Sequence, residues 1–338
     1  MIHARGLTRS FKIKGGAAVD AVRGIDIDVE AGQLVAFLGP NGAGKSTSLR
    51  MLTSLLPPTS GTATVAGHDI VKNPGAVRAR IGYIGQKNGA GENFRVRDEL
   101  VTQGRCYGLT RAEARVRADE VLAQLDLEAL AARKPGTLSG GQRRRLDIAL
   151  GLVHRPGLLF LDEPSTGLDP QSRANIWEHI LRLRADHGTT LFLTTHYLEE
   201  ADSMAERVII IDHGRIIADG TAAQLKSDLA GDRITITLAT ESDTARAAAI
   251  AERMTGSAPS LTGDVVQLRV AHAGTALPEY LRALESAGTK AIAAETSRPT
   301  LDDVFLALTG RTLRESETTP ADLTGPAEGR STAAPAPV

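Results

Sequence analysis

The chain has a single cysteine, Cys106, so no internal disulfide can form, and this suits a reducing compartment. Charge of one sign is also missing. Its 39 Lys and Arg stand against 40 Asp and Glu, and a net charge of −1 gives no basic field for nucleic acid. No apolar run approaches the ~18 residues that cross a bilayer, and the N-terminal stretch has no signal-peptide core. The expectation is a chain soluble by itself, whose membrane role, if it has one, comes through a partner. Apolar residues are plentiful: at 42% of 338 residues they suffice for a core in each of two or so domains.

The stretch Gly39-Pro40-Asn41-Gly42-Ala43-Gly44-Lys45-Ser46-Thr47 follows the apolar run Leu34–Leu38 and precedes a helix-like segment that continues to Leu55. A phosphate-binding loop needs this setting. The glycines let successive backbone N–H groups converge on one anion, and the helix adds its positive end. Lys45 would reach the β- and γ-phosphates, the Ser46 hydroxyl would sit on Mg²⁺, and Thr47 would support the α/β-phosphate contacts. Upstream, Ile25–Val29 alternates apolar and acidic residues at the strand period. Phe11 and Val22 would offer an aromatic face and an aliphatic contact to a purine, although a phenylalanine such as Phe11, taken alone, is more often an ordinary packing residue.

Further along, Gln86 closes the apolar run from Ile81, so its amide emerges at a strand tip. Lys87–Asp98 reads as a mobile loop. Thr110 and Glu113 form a capping box ahead of a helix with Val121, Leu122 and Leu125 on its apolar face. Ser139, Gly140, Gly141 and Gln142 then precede a helix over Arg143–Val153 and make a second anion-binding terminus. Arg143, Arg144 and Arg145 read as a solvated basic face. The strand Leu158–Leu161 ends in Asp162 and Glu163, where an α/β sheet places catalytic groups. Asp162 would join the Mg²⁺ shell, and Glu163 would polarise an attacking water. The strand Thr190–Thr195 delivers His196 to the same edge, where it is placed to sense a γ-phosphate.

This order of motifs, closed by Gly167-Leu168-Asp169, resembles the nucleotide-binding subunit of an ATP-binding cassette (ABC) transporter over about residues 1–225. Residues 143–149, 211–215 and 300–310 resemble daunorubicin-resistance-type exporters of drugs and antibiotics. The resemblance implies an α/β P-loop NTPase fold, with a mostly parallel core sheet, an antiparallel N-terminal sheet and a helical subdomain at about 87–155. It implies ATP and Mg²⁺ as cofactors, Phe11 stacked on adenine, and phosphates held by Gly42 to Thr47. It also implies Gln86 at the metal site as its coupler to the membrane partner, Glu163 as the catalytic carboxylate and His196 as the γ-phosphate switch. Ser139, Gly140 and Gly141 would contact nucleotide held by a second copy. The implied assembly is a head-to-tail dimer under a membrane permease, at the cytoplasmic side of the membrane, with no nucleic acid partner. Phe11 stands where tyrosine is commoner, and Asn88–Gly91 is an insertion after Gln86.

Composition changes near Lys226. Residues 226–232 read as a linker, 233–310 as a small α+β accessory domain ending in a helix capped by Thr300, and 311–338 as a disordered tail. The competing reading is a soluble cassette ATPase of DNA repair or translation. Those enzymes join two cassettes in one chain or insert a long coiled coil, and neither pattern occurs in this sequence. Intact Lys45, Glu163 and His196 argue against a non-enzymatic regulator.

Overall fold

Four apolar strands set the layering. β3 (Leu34–Leu38), β7 (Leu158–Asp162), β8 (Thr190–Thr195) and β9 (Arg207–Asp212) are apolar on both faces, as strands covered on both sides must be. Alternate residues enter different cores. Leu34, Ala36, Leu159, Leu161, Leu191, Leu193, Val208 and Ile210 face one, whereas Val35, Phe37, Leu158, Phe160, Phe192, Ile209 and Ile211 face the other. The computed structural model describes residues 1–12 and 18–311.

In chain order, β1 (Ile2–Phe11) and β2 (Val19–Val29) precede β3, and α1 (Lys45–Leu52) follows it. Then come β4 (Ser60–Val65), β5 (His68–Asp69), α2 (Pro74–Arg80) and β6 (Ile81–Ile84). Three helices follow, α3 (Val96–Cys106), α4 (Arg111–Gln124) and α5 (Gly140–Leu152), leading into β7. α6 (Pro170–His187) lies between β7 and β8, α7 (Leu198–Met204) between β8 and β9, and β10 (Arg215–Gly220) and α8 (Ala222–Leu225) complete this part.

The core sheet runs β10-β9-β3-β8-β7-β6, parallel except for the edge strand β10. One face carries α1 and the antiparallel sheet β2-β1-β4-β5; the other carries α5, α6 and the helical segment α3–α4. The Thr110 capping box forms as expected, with Thr110 Oγ1 accepting from Glu113 N and Glu113 Oε2 accepting from Thr110 N.

The segment Lys226–Ala230 winds as a π-helical stretch where the sequence suggested a linker. A βαββαβ unit follows, formed by β11 (Asp232–Leu238), α9 (Thr244–Thr255), β12 (Ser260–Thr262), β13 (Val265–Val270), α10 (Ala273–Ser286) and β14 (Ala291–Ser297). Its antiparallel order β12-β13-β11-β14 is that of a split βαβ unit. A separate core surrounds Ile234, Ile236, Leu268, Leu284 and Tyr280, whose hydroxyl donates to the Ala247 carbonyl.

The last helix departs from the sequence reading. α11 (Leu301–Thr309) has the expected Thr300–Asp303 capping box, but its apolar side does not close the accessory unit. Leu301, Val304 and Phe305 bury in the core beneath the parallel sheet, and Leu308 is 36% exposed. Periodicity fixes which face of a helix is apolar but not which core receives it. Arg311 adds a tie, donating to both Asp212 carboxylate oxygens at 3.1 and 3.0 Å. Phe305→Ala is therefore expected to destabilise the cassette itself by about 3–5 kcal/mol in equilibrium unfolding. A loss below about 1 kcal/mol would show that the helix is dispensable to that core. Most of the tail suggested at 311–338 lies outside the described residues.

Candidate active site

The site lies at the C-terminal edge of the parallel sheet, where β3, β7 and β8 end side by side. After β3 the chain turns through Gly39–Gly44, and α1 begins at Lys45 with Gly44 as a left-handed N-cap at φ 107°. A Cβ on Gly39 would stand 2.3 Å from the Ile211 carbonyl oxygen, so the loop packs directly on β9. Lys45 is buried, and its Nζ donates to the carbonyls of Gly39 and Pro40 at 2.7 and 3.1 Å. Asn41 and Gly42 stand exposed at the crest, while Ala43 and Gly44 are covered.

Two clusters converge on this loop. In the first, Ser46 Oγ donates to Asp162 Oδ1 at 3.0 Å, Thr194 Oγ1 donates to the same oxygen at 2.7 Å, and Gln86 Nε2 reaches Ser46 Oγ at 3.4 Å. A hydroxyl, a carboxylate and an amide form the all-oxygen donor set that a small hard cation prefers, with positions left for phosphate and water. In the second, Glu163 lies between Lys45 Nζ at 3.5 Å and His196 Nδ1 at 3.4 Å, and it accepts from Thr166 Oγ1 at 3.3 Å. The His196 contact is within ion-pair reach but not aligned as a hydrogen bond. Burial alone would raise the Glu163 carboxyl, but His196, the Lys45 charge and Thr166 outweigh it and hold the group below the ordinary glutamate value.

Glu163 also carries backbone strain. Its φ of 49° lies in the left-handed region, which costs a residue with a Cβ about 1–2 kcal/mol. The turn persists because Glu163 N donates to the carbonyl and the hydroxyl of Thr194, at 3.1 and 3.0 Å. Thr194 thus braces the Asp162 carboxylate and the backbone of Glu163. It went unnoticed in the sequence because Thr190–Thr195 reads simply as an apolar strand.

Other candidates divide. Phe11 ends β1 and is 38% exposed, with the Arg9 guanidinium over one face of its ring, 4.8 Å from the centroid. Val22, expected beside a purine, is 1% exposed and packs in the core behind Gly44. Its place in β2, opposite Arg9, turns the side chain inward. Ser139 is the N-cap of α5, which begins earlier than the sequence suggested. Ser139 Oγ accepts from Gln142 N, and Gln142 Oε1 accepts from Ser139 N. Gly140 and Gly141 form its first turn, and a Cβ on Gly141 would stand 2.7 Å from Ser172 Oγ. These four residues abut α6, whereas the phosphate loop's side-chain bonds run to β7 and the strand-end carboxylates.

Two sequence readings need correction. Arg144 does not belong to a solvated face: it is 6% exposed and enclosed by backbone carbonyls. The stretch after Gln86 is tethered, since the Gly89 and Ala90 N–H groups donate to Asp147 Oδ1 at 2.9 and 3.2 Å.

Among the described residues, no helix is long and apolar enough to cross a membrane. The family profile described as ABC transporter matches residues 22–166. A daunorubicin resistance ATP-binding protein of Streptomyces coeruleorubidus is 43% identical over 88% of this chain and 93% of its own length. A linearmycin resistance ATP-binding protein of Bacillus subtilis is 37% identical over 93% of this chain and 100% of its own. Among solved structures, a dimeric ATP-binding cassette in a post-hydrolysis state with ADP and Pi superposes with a TM-score of 0.60. It is 26% identical and covers 65% of this chain and 98% of its own. The chain belongs to the ABC transporter family, as one of its ATP-binding, ATP-hydrolysing subunits.

Proposed function

We propose that this chain powers export of a drug, antibiotic or other lipophilic compound through a separate membrane permease, working as a head-to-tail dimer held at the cytoplasmic side of the membrane. The observation that carries the reading is the division of the site. One chain has one phosphate loop, whose Ser46 bonds to Asp162 at the end of β7, and one Ser139–Gln142 terminus, whose Gly141 packs on Ser172 of α6. Two chains placed head to tail complete two ATP sites. The names of the resistance relatives support export of a lipophilic compound and disfavour a soluble ATPase of DNA repair or translation.

Each residue then has a task. Phe11 stacks on the adenine, Gly39–Thr47 wrap the phosphates, and Lys45 turns from the Gly39 and Pro40 carbonyls to the β- and γ-phosphates. Ser46, Asp162 and the Gln86 amide oxygen hold Mg²⁺, which when bound supplies charge neutralisation at the phosphate oxygens. Glu163, ionised and braced by Thr194, takes the proton of the attacking water. His196 reads the γ-phosphate, and Ser139, Gly140, Gly141 and Gln142 meet it from the second copy. ATP favours the closed dimer only through contacts that hydrolysis removes, so turnover alternates the permease between two states. The C-terminal βαββαβ unit serves as a regulatory or dimer-supporting module.

The test is reconstitution of the full chain with a candidate permease in vesicles, with ATP turnover followed against a panel of lipophilic drugs. The expected result is membrane association that needs the permease and turnover that rises with a transported compound. A chain that stays in the supernatant and hydrolyses ATP indifferently to both would overturn the proposal.

A further inference from the structure

α5 starts at one site and ends its first turns at another. Its N-terminus is Ser139–Gln142, and Arg144, two residues on, points into the interior of its own cassette. Arg144 Nε donates to the Pro164 carbonyl at 2.7 Å, one terminal nitrogen to Gly85 at 2.7 Å, and the other to Asp162 and Glu163 at 3.3 and 3.4 Å. The nearest carboxylate oxygen, Asp147 Oδ2, is 4.0 Å away, so carbonyls rather than an ion pair define this pocket. The three consecutive carbonyls of 162–164 span the left-handed turn at Glu163. One planar fork therefore clamps the strained peptide that aims the carboxylate, and also the residue that precedes Gln86. Only a guanidinium offers donors in that geometry; an ammonium is a single point with three rotatable donors.

We propose that Arg144 is a positioning residue that couples the two ATP sites of the dimer. Contact of Ser139–Gln142 with nucleotide held by one protomer shifts α5, and Arg144 carries that shift to the Glu163 turn and the Gln86 segment of its own protomer. Asp147, one turn further along α5, moves the Gly89–Ala90 loop with it. The inference rests on the head-to-tail reading above. It adds the side chain through which occupancy of one site reaches the other.

The experiment uses the full chain and Arg144→Lys, which keeps the charge and loses the fork. Three quantities are read: affinity of dilute protein for a fluorescent ATP analogue, initial turnover against ATP concentration, and thermal unfolding. The expected result is affinity within about twofold of wild type, turnover at least about tenfold lower, and a sigmoidal ATP dependence that becomes hyperbolic. Arg144→Met, which fills the space without donors, should behave alike with a larger fall. Retained turnover with retained sigmoidicity overturns the coupling role. So does a parallel fall of turnover and unfolding temperature with sigmoidicity unchanged, or failure of both variants to fold, because each would mark Arg144 as a structural support only. If instead the wild type neither dimerises with ATP nor shows sigmoidal turnover, the dimer reading fails before Arg144 is tested.

Discussion

Glu163→Gln is expected to reduce ATP turnover by about 10²–10⁴-fold while the ATP-bound dimer becomes long-lived enough to isolate. The substitution preserves shape, the backbone bonds to Thr194 and a contact for the Thr166 hydroxyl, so the turn should hold. It removes the one negative charge lying between Lys45 and His196, and with it the acceptor for the water proton. Lys45 and His196 then face the γ-phosphate without competition, and the composite site opens slowly. Phosphate release and size-exclusion chromatography with ATP give the two readouts, and turnover within about threefold of wild type would remove Glu163 from its role.

The same variant carries a signature in pH. The folded Glu163 carboxyl sits below its ordinary value, so the folded state favours the charged form. Its contribution to stability is full above the unfolded glutamate value and is lost as pH falls through the folded one. Acid unfolding of the wild type should therefore include a component in that window that Glu163→Gln lacks.

The reach and limit of the sequence follow from how local each interaction is. The phosphate loop was legible because its glycines, lysine and serine are adjacent in the chain and their flanking strand and helix announce themselves. Asp162 and Glu163 were legible for the same reason, at the end of a strand apolar on both faces. Arg144 was misread because three arginines in a row look solvated, and only the fold shows that the middle one meets four carbonyls from two distant chain segments. Val22 failed similarly, since pairing with Arg9 in β1 decides which way it points. The loop after Gln86 read as mobile because its anchor, Asp147, lies on α5, far along the chain. The destination of α11 was hidden too: Leu301, Val304 and Phe305 look the same whichever core takes them.

Gly44→Ala is expected to abolish ATP binding at concentrations that saturate the wild type, while Gly42→Ala folds with only the modest loss of stability that its backbone conformation imposes. Both glycines have positive φ, 107° and 79°, so both variants bear the left-handed penalty of about 1–2 kcal/mol. They differ in what the new methyl meets. At Gly42 nothing lies within 4 Å, but at Gly44 a Cβ would stand 2.5 Å from the Ala21 carbonyl oxygen, with Val22 and Ile211 behind it. That oxygen belongs to β2, which is held to β1 along its length, so the loop must give way rather than the sheet. The loop is fixed from a second side as well, since Gly214 N donates to the Ala43 carbonyl at 2.9 Å and Arg23 N to the Gly214 carbonyl at 2.8 Å. A displacement near 1 Å at the first turn of α1 misplaces Lys45 and Ser46 together, and such misplacement costs on the order of 10²-fold. Titration with a fluorescent ATP analogue, paired with thermal unfolding, separates the variants, and equal affinities would mean that β2 does not set the height of the phosphate loop. If the affinities differ as expected, the antiparallel sheet is part of the nucleotide site even where no side chain of it touches phosphate.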